Sequence, residues 1–117
     1  MRVIGTVLVV AVAVLHLYIL WLEMFGWTRA RVRAIFGTTR EFAEASRVLA
    51  ANQGLYNGFL AAGLLWGAVS GDLGVKVFFL LCVAIAGLYG AATVSRRILV
   101  VQTVPAVVAL VAVLLGG

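Results

Sequence analysis

The sequence predicts an all-α fold, a four-helix transmembrane bundle. Four apolar stretches follow one another, at residues 3–27, 46–69, 73–94 and 98–115. Each is close to the roughly 20 apolar residues a helix needs to cross a bilayer. Charged residues make up only 11% of the chain against 65% hydrophobic ones, and they collect in the gaps. No stretch alternates polar and apolar residues as the strands of a membrane barrel do. A backbone surrounded by hydrocarbon must satisfy its own hydrogen bonds, so each run is expected to be helical despite the abundant valine. A soluble domain usually carries about 25% charged residues, and 117 residues could not hide this much apolar surface in one core. A single domain over residues 1–117 is expected.

The first stretch opens with MRVIGTVLVVAVAVL, which imitates a secretory signal with Arg2 ahead of an apolar run. The run continues through His16 to Trp27 with no convincing cleavage site, so it reads as a retained span. A longer connection follows, TRARVRAIFGTTREF. Arg29, Arg31 and Arg33, beside Trp27, Ile35 and Phe36, suggest a short segment lying on the membrane surface. Thr38 with Glu41 three residues later fits a capping box, so the second helix is expected to start there and to cross the interface before entering lipid. Ser70, Gly71 and Asp72 form a tight turn, which makes the second and third helices a hairpin. Ser95, Arg96 and Arg97 form another short link to the fourth, where Pro105 kinks the helix or sits in its tolerant first half.

Charge sets the expected orientation. The net charge is +5 and the pI near 10.4, but the cations sit where membrane topology wants them, and nucleic acid is not an expected partner. Loop one holds Arg29, Arg31, Arg33, Arg40 and Arg47, and loop three holds Arg96 and Arg97; the other side has Arg2 and Lys76. The positive-inside rule places loops one and three in the cytoplasm and both termini outside. Membrane lipids, anionic headgroups among them, are the expected partners, and self-association into a homo-oligomer stays open. The single Cys82 excludes an internal disulfide and reads as a small buried hydrophobe. One histidine and one cysteine do not make a metal site, and no cofactor is expected. Trp21, Trp27 and Trp66 read as belt or packing residues.

Polar side chains inside the runs carry whatever function there is. At about 1.5 Å of rise per residue, Glu23 lies about one turn in from loop one, and His16 roughly 15 Å deep. Asn52, Gln53, Tyr56 and Asn57 fall at the same depth on the second run, Tyr89 and Thr93 on the third, Gln102 and Thr103 on the fourth. A polar group turned to lipid is costly, so these stripes are expected to turn inward to one shared pocket. Each has a plainer reading too. Glu23 could snorkel to headgroups or pair with a loop-one arginine, or it could be a buried carboxylate that carries a proton or binds a cation. His16 could brace the bundle by an interhelical hydrogen bond or act as proton donor or acceptor. Tyr89 and Gln102 suit either helix association or a site, whereas ANQGLYNG at 51–58 holds more polar groups than gluing helices requires. Gly54 and Gly58 form a GxxxG on a different face from Asn52 and Tyr56, suited to close helix packing.

The strings HLYILWLEMFGW at 16–27, FG at 36–37 and ANQGLYNGFLAAGLLWG at 51–67 resemble the bacterial family called domain of unknown function 1304. The resemblance covers essentially the whole chain. It implies a small multi-pass membrane protein with His16, Glu23, Asn52, Gln53, Tyr56 and Asn57 at the family's motif positions, and it implies no activity.

Three functions compete. The first is a pocket near the cytoplasmic leaflet that binds a small lipophilic molecule, or acts on it by acid–base chemistry through His16 and Glu23. Asn52, Gln53, Tyr56, Asn57, Tyr89 and Gln102 would then bind the ligand. The second is a proton-coupled exporter: the size, the four spans and a glutamate in the first helix are similar to the small multidrug resistance transporters. Their glutamate sits deeper in that helix, and they lack both the ANQGLYNG-like run and the long basic loop. The third is a structural membrane subunit. The residues leave open whether the protein is an enzyme, and the expected location is the bacterial cytoplasmic membrane.

Overall fold

Long apolar runs in this chain become long helices, and the basic first connection becomes two short ones. The computed structural model describes residues 2–116, and the elements among them are all helical. Helix α1 spans Arg2–Met24. It closes short of the expected Trp27: Phe25 makes a regular bond to the Trp21 carbonyl, and the Gly26 N–H then turns back to that same carbonyl, five residues earlier, which ends the α-helical ladder. Helix α2, Ala30–Phe36, realises the segment expected between Arg29 and Phe36. It stops at Gly37, whose φ of 69° is left-handed and suits glycine, with the Gly37 N–H on the Arg33 carbonyl.

The second long helix is divided. Helix α3 spans Arg40–Ala45, and its cap is Thr39 rather than Thr38: the Thr39 hydroxyl accepts the Phe42 N–H at 3.1 Å. The hydroxyl of Ser46 then turns back to the Phe42 carbonyl at 2.6 Å, and Ser46 leaves the helical region at φ −98°, ψ 5°. The Phe42 carbonyl also keeps the Ser46 N–H at 2.9 Å, and a hydroxyl bonded back to such a carbonyl often bends a helix. Helix α4 continues as Arg47–Ser70. Gly71, at φ 73°, makes the tight turn, and Asp72 caps α5, Leu73–Thr93, by accepting the Val75 N–H at 3.0 Å.

The last run begins as a π turn, Leu99–Thr103, and becomes α6, Val104–Gly116. Pro105 is the second residue of α6. Proline lacks an N–H and its ring collides with the carbonyl four residues back in a regular α-helix; the wider π turn just before it relieves both conflicts. Among the described residues, three helices are long and apolar enough to cross a membrane: α1, α5 and the stretch Leu99–Gly116. Helix α4 has the length, 24 residues, but its polar first half sets it apart from those three.

The chain divides into two compact units, one of Met1–Val14 with Leu60–Gly117 and one of Leu15–Phe59. The first unit holds the apolar core, with Val9, Leu64, Leu80, Val83, Ala106, Ala109 and Val113 buried. Small residues let its helices approach. A Cβ on Gly63 would run into the Phe79 ring, and one on Gly87 would run into the Thr103 hydroxyl. That hydroxyl donates to the Ala84 carbonyl at 3.2 Å, which fastens the π turn to α5. Lys76, counted above as an outer-side charge, is only 3% exposed because its aliphatic stem lies against Gly67. Long cationic side chains commonly bury the stem in this way.

In the second unit, α1 packs on α4 through glycine. A Cβ on Gly54 would sit 2.6 Å from Met24 Cγ and 3.1 Å from the Leu20 carbonyl, and one on Gly58 would sit 2.7 Å from Leu20 Cδ1. The Trp27 indole donates to the Ser46 hydroxyl at 3.0 Å and stacks obliquely on Phe36, with centroids 4.9 Å apart. One tryptophan thereby ties the α3–α4 break to the end of α2.

Candidate functional site

The glycine face of α4 decides which polar residues turn inward. With Gly54 and Gly58 on α1, Asn57 falls at the border of the buried face, three residues after Gly54 and four after Gln53. Its side-chain amide donates to Glu23 Oε1 at 2.6 Å. Glu23 is half-buried, and its Cβ stands 3.2 Å from where a Gly54 Cβ would lie. A short hydrogen bond between a carboxylate and an amide therefore sits beside the place where Leu20 and Met24 pack on Gly54 and Gly58. Two turns earlier on α1, His16 is fully enclosed at 0% exposure.

Asn52, Gln53 and Tyr56 do not turn inward as expected; all three are exposed. The reason is geometric. The face opposite the glycines must point away from α1, and the close approach leaves no room for a longer side chain between the two helices. Tyr56 lies outward against the Phe59 ring, edge to face with centroids 5.9 Å apart. Gln53 neighbours Asn57, so an outward polar strip of Asn52, Tyr56 and Gln53 leads along the helix surface to the Glu23–Asn57 pair. Tyr89 and Gln102 belong to the first unit; Tyr89 is 72% exposed, also against expectation, and Gln102 is half-buried. Among the described residues, no group of three or more His, Cys, Asp or Glu side chains is placed to hold a metal ion.

A second feature of the Leu15–Phe59 unit was not singled out from the sequence. A groove of about 520 Å³ lies between α1 and α2, lined by Tyr18, Trp21, Leu22, Arg29, Arg31 and Ile35 among others. The Arg29 guanidinium sits over the Trp21 ring, 5.4 Å from its centroid. The signal was present as Tyr18 and Trp21, three apart on one helical face, followed by the arginine run. Tyr18 drew no reading of its own, and Trp21 and the arginines fitted the simpler readings of belt residue and topology signal.

Comparison with known proteins places the chain. The family described as "Protein of unknown function (DUF1304)" matches residues 10–114, which includes every residue of the Glu23–Asn57 contact and of the groove. The "Uncharacterized protein YpaA" of Lactococcus lactis subsp. lactis (strain IL1403) is 30% identical over 115 residues, covering 95% of this chain and 97% of that protein. No solved structure matches. A match across nearly the whole length means that this chain belongs to the DUF1304 family.

Proposed function

We propose that this is an integral membrane protein with four spans, the fourth being α4. Loops one and three lie in the cytoplasm, both termini lie outside, and the protein binds a small lipophilic molecule at the Glu23–Asn57 pair. The observation that carries the binding reading is the 2.6 Å hydrogen bond between these two side chains on otherwise apolar helix faces. An ionisable group within a span is costly and is a functional candidate by default. The membrane reading is supported by three helices that are long and apolar enough to cross. The polar half of α4 is what a span would carry if it bordered a binding site rather than lipid alone.

Chemistry narrows the ligand. A carboxylate with one amide donor on it has acceptor capacity to spare. The molecule best suited is an apolar chain with a donor at its end, an amine or a hydroxyl. Gln53 and Tyr56, on the exposed side of α4, offer hydrogen bonds to that polar end as it arrives along the helix surface. Full burial favours a packing and positioning role for His16. If the bound molecule reacts, Glu23 is the group placed to take its proton.

Thermal shift in detergent with dodecylamine, dodecanol and dodecane tests this directly. The amine, and more weakly the alcohol, is expected to raise the melting temperature of the wild type but not of Glu23→Gln or Asn57→Leu. Equal shifts in all three proteins would remove the binding reading and leave the membrane reading intact.

A further inference from the structure

The groove between α1 and α2 has the character of a lipid site, and neither Glu23 nor Asn57 is among its lining residues. Its walls divide by chemistry. Tyr18, Trp21, Leu22 and Ile35 supply aromatic and aliphatic surface, and Arg29 and Arg31 supply two cations. Neither guanidinium has a hydrogen bond or a carboxylate partner among the described residues, in contrast to Arg33, which donates to the Thr28 carbonyl, and Arg40, which pairs with Glu44 at 3.6 Å. The groove residues include no carboxylate that would repel an anion. Arg29 is held in place by the Trp21 face, so its orientation is set before any ligand arrives. Planar guanidinium groups suit phosphate oxygens, which they meet with paired donors.

Position agrees with this chemistry. The groove forms where the C-terminal end of α1 meets the arginine-rich α2, and in the four-span orientation proposed above that end lies at the cytoplasmic headgroup layer. Its volume, about 520 Å³, lies in the ordinary range of small-ligand pockets. That space takes a headgroup and the first part of one chain, and the rest of the lipid stays in the bilayer.

We infer that Arg29 and Arg31, together with the aromatic wall of Tyr18 and Trp21, form a site for an anionic phospholipid of the cytoplasmic leaflet. The guanidinium groups hold the phosphate, and the groove floor takes the upper acyl chain. This inference rests on the membrane reading above but not on ligand binding at Glu23.

Trp21 makes the site measurable. In a Trp27→Phe/Trp66→Phe background, Trp21 is the sole tryptophan, and a lipid brominated high on its acyl chains quenches it only when adjacent. The protein is reconstituted into phosphatidylcholine vesicles that contain brominated phosphatidylglycerol or, at the same fraction, brominated phosphatidylcholine. Trp21 is expected to show roughly tenfold preferential occupancy by the anionic lipid. That preference is expected to disappear in Arg29→Gln/Arg31→Gln and to persist in Arg40→Gln/Arg47→Gln, with helical circular dichroism unchanged throughout. Equal quenching by the two lipids would overturn the site. So would an equal loss of preference in both double variants, since that reports diffuse attraction to a basic loop. Displacement of the brominated anionic lipid by free glycerol 3-phosphate would also overturn it, by reassigning the groove to a soluble phosphate ester. No quenching by either lipid would instead overturn the membrane reading on which the site depends.

Discussion

The bond between Asn57 and Glu23 is the most consequential single contact in the Leu15–Phe59 unit, because each partner is half-buried and shields the other from apolar surroundings. Removing the donor strands a carboxylate beside Leu20 and Met24. Asn57→Leu is expected to destabilise by about 1–3 kcal/mol, the usual cost of an unsatisfied buried polar group. Reversible unfolding in mixed micelles would measure it, and a change near zero would mean that water already satisfies Glu23. Thr39→Ala removes the hydroxyl that accepts the Phe42 N–H and should cost about 1 kcal/mol. The loss should be seen as faster amide exchange confined to Arg40–Ala45. At this scale the sequence was half legible. Glu23 stood out as an ionisable group in an apolar run, but nothing in ANQGLYNG said which amide would meet it. The choice fell to Asn57 because Gly54 and Gly58 set the contact face, while Asn52 and Gln53 fell outside it.

Helices in this protein owe their fit to glycines that larger residues cannot replace. A side chain at Gly87 would strike the Thr103 hydroxyl and lie 2.9 Å from the Thr103 backbone nitrogen, which cannot move without disturbing the π turn. Gly87→Ala is therefore expected to cost about 1–3 kcal/mol of stability, the range for overpacking a tight contact. Gly74→Ala meets only the Asp72 carboxylate, at 3.3 Å, and should change the melting temperature little. Comparable losses in the two variants would mean that helix–helix contact is not what Gly87 serves. Element positions were well anticipated by hydropathy, since length and apolarity decide which runs become helices. The interruptions were not. Ser46 stands at the break between α3 and α4 with its hydroxyl turned back to the Phe42 carbonyl, and the π turn accommodates Pro105. Both are local backbone effects to which a hydropathy reading is blind.

For the molecule as a whole, the arginine count makes a prediction of sidedness that labelling can test. On a Cys82→Ala background, Glu44→Cys and Ser70→Cys each place one exposed thiol, in loop one and at the turn after α4. In intact cells a membrane-impermeant maleimide should label the Ser70→Cys variant and spare the Glu44→Cys variant. The reverse pattern would invert the topology, and labelling of both would deny α4 a place across the membrane. Helical class and the positions of the long apolar helices were readable from composition because a long apolar run favours a backbone that satisfies its own hydrogen bonds. The convergence of polar residues was less readable, because close packing on glycine turned most of them outward. One contact in the first unit bears on how the chain could be rewired. Gly5 lies so near Val113 that a Cβ there would be 3.4 Å from the Val113 backbone. A short Gly-Ser bridge joining the beginning of α1 to the end of α6, with new ends cut at the exposed, left-handed Gly37, should yield a circular permutant that folds with all its helices in place.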